Sequence, residues 1–225
     1  MKRITLLLLM IGILPAAAVA GPTVKMLRDS SPAYSAKILE DGFAGYSAGT
    51  VIPSFCLEYH EYFNPGSSYY AYLSTEAVSG GMDWAGGVYG QGPLQRVSSD
   101  PIDERTAFLF TKYMEGDSRF QDEYKLQKAI HYIEAEFARS CRIERKNDYV
   151  RAAEEAVLEG GEWFGKGIGN VRVMSLWSCY DGQNYYGKAQ DQLIMTSPVP
   201  APGAVLLSSC GVMMVGWLKR RNRMD

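Results

Sequence analysis

Between Asp100 and Glu159 glycine nearly vanishes and apolar residues recur at helical spacing, after a Ser99-Asp100-Pro101 start signal. The pattern predicts three helices. The first covers about residues 104–114 and stops at Gly116. The third covers about 148–159, is capped by Asn147 or Asp148, and ends at Gly160-Gly161. The middle helix, about 120–138, places Leu126, Ile130, Ile133 and Phe137 at steps of four, three and four. Such a stripe lies on one helix face and is expected to be core.

On either side of this region the period changes. Residues 34–95 are rich in Gly, Ser and Tyr, with turn signals at Asn64-Pro65-Gly66, Gly80-Gly81 and Gly86-Gly87. Aromatic and β-branched residues cluster at 51–58 and 69–73, which predicts strands there. After Gly169, Val171, Val173 and Ser175 alternate with Arg172, Met174 and Leu176, and a last strand is predicted at 191–196. The order strands, helices, strands predicts an α+β fold: a β-rich sandwich or barrel-like body with a three-helix segment inserted at about 100–160. No internal repeat is visible.

The two ends follow neither period. Lys2 and Arg3 precede an apolar run from Ile4 to Leu14 and the small-residue site Ala18-Val19-Ala20, the pattern of a cleaved signal peptide over residues 1–20. At the other end, the uncharged apolar stretch 201–218 precedes Lys219, Arg220, Arg221 and Arg223. It has about 18 residues, the lower limit for a transmembrane helix, and its basic flank marks the cytoplasmic side. Pro198, Pro200 and Pro202 lie just upstream. A segment first threaded into the inner membrane and later removed fits this marginal length, with an ordinary single-pass anchor as the alternative.

Removing both ends takes away six of 23 basic residues and one of 25 acidic ones, leaving 17 against 24 and a net charge near minus seven. Nucleic acid is therefore excluded as an expected partner, because phosphate binding needs a concentrated basic face. The segment 21–196 is long enough for one domain with a genuine core.

The run Val199-Pro200-Ala201-Pro202-Gly203-Ala204-Val205-Leu206-Leu207, then Gly211 and Gly216-Trp217-Leu218-Lys219-Arg220-Arg221, resembles the PEP-CTERM sorting tail of Gram-negative bacteria. The resemblance covers about 25 residues and implies a tail, 197–225, read by an exosortase, a membrane protease-transpeptidase. Its sorting residues are Pro200, Ala201, Pro202, Arg220 and Arg221, with Ala201 where the signature has Glu. The implied destination is the cell surface or extracellular matrix, after transient anchoring in the inner membrane.

Four cysteines occur: Cys56, Cys141, Cys179 and Cys210. Cys210 lies in the tail, so the exported domain keeps three, an odd number. Two of them pair in the oxidising periplasm and leave one buried thiol, or all three are reduced and buried.

Phe55-Cys56-Leu57-Glu58 on a predicted strand and Leu126-Gln127-Lys128-Ala129-Ile130-His131 on the middle helix resemble the paired motifs of bacterial thioester domains. Thr106-Ala107-Phe108-Leu109-Phe110 and Ala189-Gln190-Asp191-Gln192-Leu193 resemble recurring segments of PEP-CTERM proteins with that domain. The resemblance implies an internal thioester with Cys56 as sulfur and Gln127 as acyl carbon. Such a bond is electrophilic toward an amine or hydroxyl on a surface polymer or protein partner and works once, so no enzymatic turnover is expected. A thiolate is a strong nucleophile, and a side-chain amide is a poor acyl donor unless held close to it. Gln127 and His131 are four residues apart on one helix face, which places His131 to shuttle a proton as ammonia departs, or at the edge of the apolar stripe. Where family members usually carry Trp, this chain has His131. With Cys56 so assigned, Cys141 and Cys179 remain as a pair whose disulfide would close a loop of about 38 residues, contributing about 3 to 4 kcal/mol.

Two other readings compete. A cysteine hydrolase would use Cys56 with His60 or His131 as base, but no family signature surrounds the cysteine. A non-covalent structural or carbohydrate-associated surface protein draws on the 15 tyrosines, with Tyr59, Tyr62, Tyr69, Tyr70 and Tyr72 in one stretch. No metal or other cofactor is expected, since the chain has two His and no Cys-x-x-Cys spacing.

Overall fold

The structure, a computed structural model, describes residues 21–28, 34–59, 61–78, 82–84, 94–96, 99–134 and 147–197. The expected signal peptide and, beyond Ser197, the sorting tail lie outside these residues, as do His60, Cys141 and Cys210. Among the described residues no helix is long and apolar enough to cross a membrane.

In chain order the elements are β1 (Thr23–Arg28), β2 (Tyr34–Ile38), β3 (Val51–Cys56), β4 (Ser68–Ser74), β5 (Glu76–Val78), β6 (Met82–Trp84), β7 (Leu94–Arg96), β8 (Ser99–Pro101), α1 (Glu104–Met114), α2 (Glu123–Ile133), α3 (Asp148–Val157), β9 (Val171–Tyr180), β10 (Tyr185–Lys188) and β11 (Gln192–Met195). The fold is α+β, as the order of periods predicts. Strands β9, β11, β3, β2, β1 and β4 pair in that order, and β4 pairs back onto β9, so the sheet closes into a barrel-like body. Every one of these pairings is antiparallel. Strand β10 extends the edge of β9, while β5 with β8 and β6 with β7 form two small ribbons. Closure removes the exposed edges that an open sheet would present.

The period of two sorts side chains onto two cores. Val24, Met26, Ile38, Ile52, Met174 and Ile194 fill the barrel interior. On the outer wall Phe55, Val171, Val173 and Leu193 meet the helices, which contribute Phe108, Phe110, Leu126, Ile130, Val150 and Ala153. Strand β9 is thus buried on both faces through residues 173–176, so its alternation separates two apolar environments rather than core from solvent. The stripe of the middle helix is core as expected: Leu126 and Ile130 are fully buried and Ile133 nearly so. Phe137 lies outside the described residues.

Each helix starts on a side-chain cap. Asp103, Asp122 and Asn147 accept from the main-chain N–H groups of Arg105, Lys125 and Tyr149. The middle helix accordingly begins later than its apolar pattern predicts: Ser118–Phe120 form a separate 3-10 turn capped by Asp117. Gly116 and Gly160 follow α1 and α3 in the left-handed region, at φ +76° and +83°, where a side chain would be strained.

Candidate functional site

Among the described residues the pairing of β3 with β2 runs to Ser54 opposite Tyr34, two residues before Cys56. On the other edge the ladder continues, with Leu57 N–H donating to Asp191 O at 3.0 Å. The Cys56 N–H and C=O point away from β11, to the β2 side. Helix α2 supplies one side chain for both: Cys56 N–H donates to Gln127 Oε1 at 3.0 Å, and Gln127 Nε2 donates to Cys56 O at 2.7 Å. The Gln127 carboxamide therefore stands where the peptide of a further strand residue would stand. Residues 71 positions apart in the chain meet through two hydrogen bonds.

These bonds also set the protonation of His131. A main-chain N–H only donates, so the Gln127 atom facing it is oxygen and the other is the NH2 group. One amide hydrogen goes to Cys56 O; the other points to His131 Nε2, 2.9 Å away. Nε2 must then be the acceptor, which makes His131 a neutral imidazole. Burial acts in the same direction and pulls its pKa down to about 4, against a smaller opposing effect of the Cys56 main chain. The ring of Tyr59 closes over it edge-on, with centroids 5.6 Å apart.

The thiol faces a different set of groups. Cys56 shares the barrel-interior face of β3 with Ile52 and Ser54, and it sits opposite Gln192 of β11. Its Sγ donates to Gln190 Oε1 at 3.1 Å and accepts from Gln192 Nε2 at 3.5 Å. Gln190 in turn donates to Glu58 O, and Ser54 Oγ donates to Gln192 Oε1 at 3.3 Å. Burial pushes the Cys56 pKa up to about 11, opposed in part by the Gln192 hydrogen bond. At neutral pH this is a protonated thiol in a polar cage at one end of the barrel.

A cavity of about 200 Å³ opens on this cluster, lined by Cys56, Gln127, His131 and Gln190 and by Tyr34, Tyr59, Tyr62, Glu58 and Glu61. Tyr62 is exposed at its mouth, while Glu58 is buried.

Of the residues singled out from the sequence, Cys56, Gln127 and His131 are brought together. Cys179 is not part of the site: it lies exposed on β9 and carries a free thiol. Its expected disulfide partner Cys141 lies outside the described residues, as do Pro200, Ala201, Pro202, Arg220 and Arg221 of the tail. Gln192 lies on the strand predicted at 191–196, but Gln190 falls before it, so only part of the thiol cage was readable from the pattern. Glu58 stands two residues from Cys56 on the strand predicted at 51–58, while Glu61 gave no such signal. No family model, curated protein or solved structure matches the chain, so the geometry around Cys56 and Gln127 carries the functional argument.

Proposed function

We propose that this chain is an exported surface protein that attaches covalently to a partner, once, through an internal thioester between Cys56 Sγ and Gln127 Cδ. The observation that carries this reading is the two-point pairing of the Gln127 carboxamide with the main chain of Cys56. Holding an acyl donor against the residue that bears the nucleophile replaces a bimolecular encounter with a local side-chain rotation.

In this reading the Cys56 thiol leaves Gln190, gives its proton to His131 Nε2, and attacks Gln127 Cδ. His131 then returns the proton to the amide nitrogen, which already lies 2.9 Å away. One C–S bond forms, one C–N bond breaks, and ammonia departs. The neutral state of His131 suits the first transfer, and the lowered pKa of its imidazolium suits the second. The product is an acyl group on a good leaving group, facing the cavity mouth, where an amine or hydroxyl of a surface polymer or protein can take it. The chain then remains bonded to its target without turnover.

The same reading includes processing of the tail, Pro200-Ala201-Pro202 through Arg220-Arg221, by an exosortase-type membrane enzyme after export, with release to the cell surface or matrix. Intact mass tests the central claim. Measured against its own sequence mass, the exported domain is expected to be about 17 Da lighter than Cys56→Ala, the ammonia lost. The same mass deficit in both chains overturns it.

A second reading, non-covalent attachment to carbohydrate or another surface polymer, draws on a different feature. Tyr70, Tyr72, Trp177, Tyr180 and Tyr185 form one aromatic cluster with centroid separations of 4.6 to 6.3 Å, and Tyr72 is exposed. Attachment that survives boiling in detergent favours the thioester; attachment lost on boiling favours this second reading.

A further inference from the structure

The corner between β10 and β11 holds an amine against two carboxyl groups. Lys188 Nζ lies 2.7 Å from Asp191 Oδ1 and 3.0 Å from Glu61 Oε2, and donates to Ala189 O at 2.7 Å. The Asp191 side chain is completely buried, and those of Lys188 and Glu61 are 15 % and 23 % exposed. Asp191 Oδ2 is pinned by the Val78 N–H at 2.7 Å, which leaves Oδ1 facing the amine. The centroid of the Trp177 ring lies 5.9 Å from the same nitrogen.

Three charges in so little water are costly to keep. Burial raises the pKa of both Glu61 and Asp191, in each case opposed by Lys188. The arrangement also has the parts of an amide-forming centre: an amine at contact distance from a carboxyl group, a main-chain N–H on the oxygen that would carry the developing charge, and a second carboxylate to relay protons.

We propose that Lys188 and Asp191 condense to an intramolecular isopeptide bond, with Glu61 as the proton carrier. Glu61 takes a proton from the Lys188 ammonium, and the freed amine attacks Asp191 Cγ while the Val78 N–H holds Oδ2. Glu61 passes that proton, and then a second one from the same nitrogen, to Oδ1, which leaves as water. One C–N bond forms and one C–O bond breaks; the two charges vanish, and no oxidant or reductant is needed. The bond closes a ring around Gln190, the residue whose Oε1 receives the Cys56 thiol, and so fixes one wall of the cavity. It does not depend on thioester formation.

The test uses the exported chain with Cys56→Ala, in which no ammonia can be lost through Cys56. Its mass is expected about 18 Da below the sequence mass, one water, and trypsin acting on the denatured chain is expected to leave Lys188 uncut. Glu61→Gln and Lys188→Arg in the same background are expected at full mass, with cleavage at position 188 in the arginine variant. Full mass with cleavage at Lys188 in the Cys56→Ala chain overturns the proposal, and an unchanged mass loss in Glu61→Gln overturns the role of Glu61. Should a variant fail to fold, the tryptic map of the wild-type chain reads the state of Lys188 directly.

Discussion

The Gln127 carboxamide and the main chain of Cys56 exchange two hydrogen bonds, of 3.0 and 2.7 Å, two residues past the last described pair of β3 with β2. The pairing joins the helical layer to the barrel by polar contacts inside an otherwise apolar interface. It gives Gln127 a structural duty in the unreacted chain, before any covalent bond forms.

Gln127→Ala should therefore destabilise the domain even in the Cys56→Ala background. It leaves a buried N–H and a buried C=O unpaired, at about 1–3 kcal/mol each. Urea unfolding of the single and double variants measures this. A loss under about 0.5 kcal/mol would show that the strand edge finds other partners.

His131 ties stability to pH. Its folded-state pKa is lowered to about 4, below the ordinary histidine value, so the unfolded chain binds the extra proton first. Its contribution is complete above the unfolded value of about 6.5 and is lost as pH falls toward 4, by at most about 3 kcal/mol. Denaturation midpoints at pH 7 and pH 4.5 should draw closer together in His131→Gln than in wild type.

Glu134 acts in the opposite sense. It is buried behind α1, accepts from the Asp103 N–H at 3.3 Å, and has its pKa raised well above the usual range, by burial first and by Asp103 and Asp100 next. The raised folded-state value means that stability is complete below the unfolded carboxyl pKa and falls as pH rises toward the folded one. Glu134→Gln keeps an acceptor for Asp103 and removes the charge. It should stabilise the protein at pH 8 and change little at pH 4, as thermal melts at the two values would read.

The two described thiols should react very differently. With its pKa near 11 instead of 9, Cys56 holds about a hundredfold less thiolate at pH 8 than an unshifted thiol, and it is buried as well. Alkylation of the folded domain should modify exposed Cys179 promptly and Cys56 only after denaturation, which peptide mapping of the labelled sites would show. Equal rates would contradict the cage formed by Gln190 and Gln192.

Much of the architecture was written in local pattern. The bounds of α1 match the apolar spacing between the Pro101 start and the Gly116 stop, and β9 starts where Val171 and Val173 begin to alternate. Strands β1 and β2 did not stand out, because five- and six-residue segments with small or charged residues carry little periodic signal; their identity comes from pairing. Strand β10, Tyr185–Lys188, has no buried face at all and exists as a strand through its ladder with β9. The delayed start of α2 was legible only in part, since Asp117 and Asp122 both offer caps and packing of Phe120 decides between them.

By itself the sequence determined the residue types, the order of periods and the two unusual ends, and a resemblance alone suggested the pairing of a strand cysteine with a helix glutamine. The tertiary structure alone decided that the sheet closes on itself and that the Cys56 main chain pairs with the Gln127 side chain. It also decided that the thiol turns to Gln190 while the imidazole turns to Gln127. The physical reason is common to all of these: they depend on buried polar groups finding partners far along the chain. A sequence shows which groups need partners, but only the packed fold shows which ones they meet.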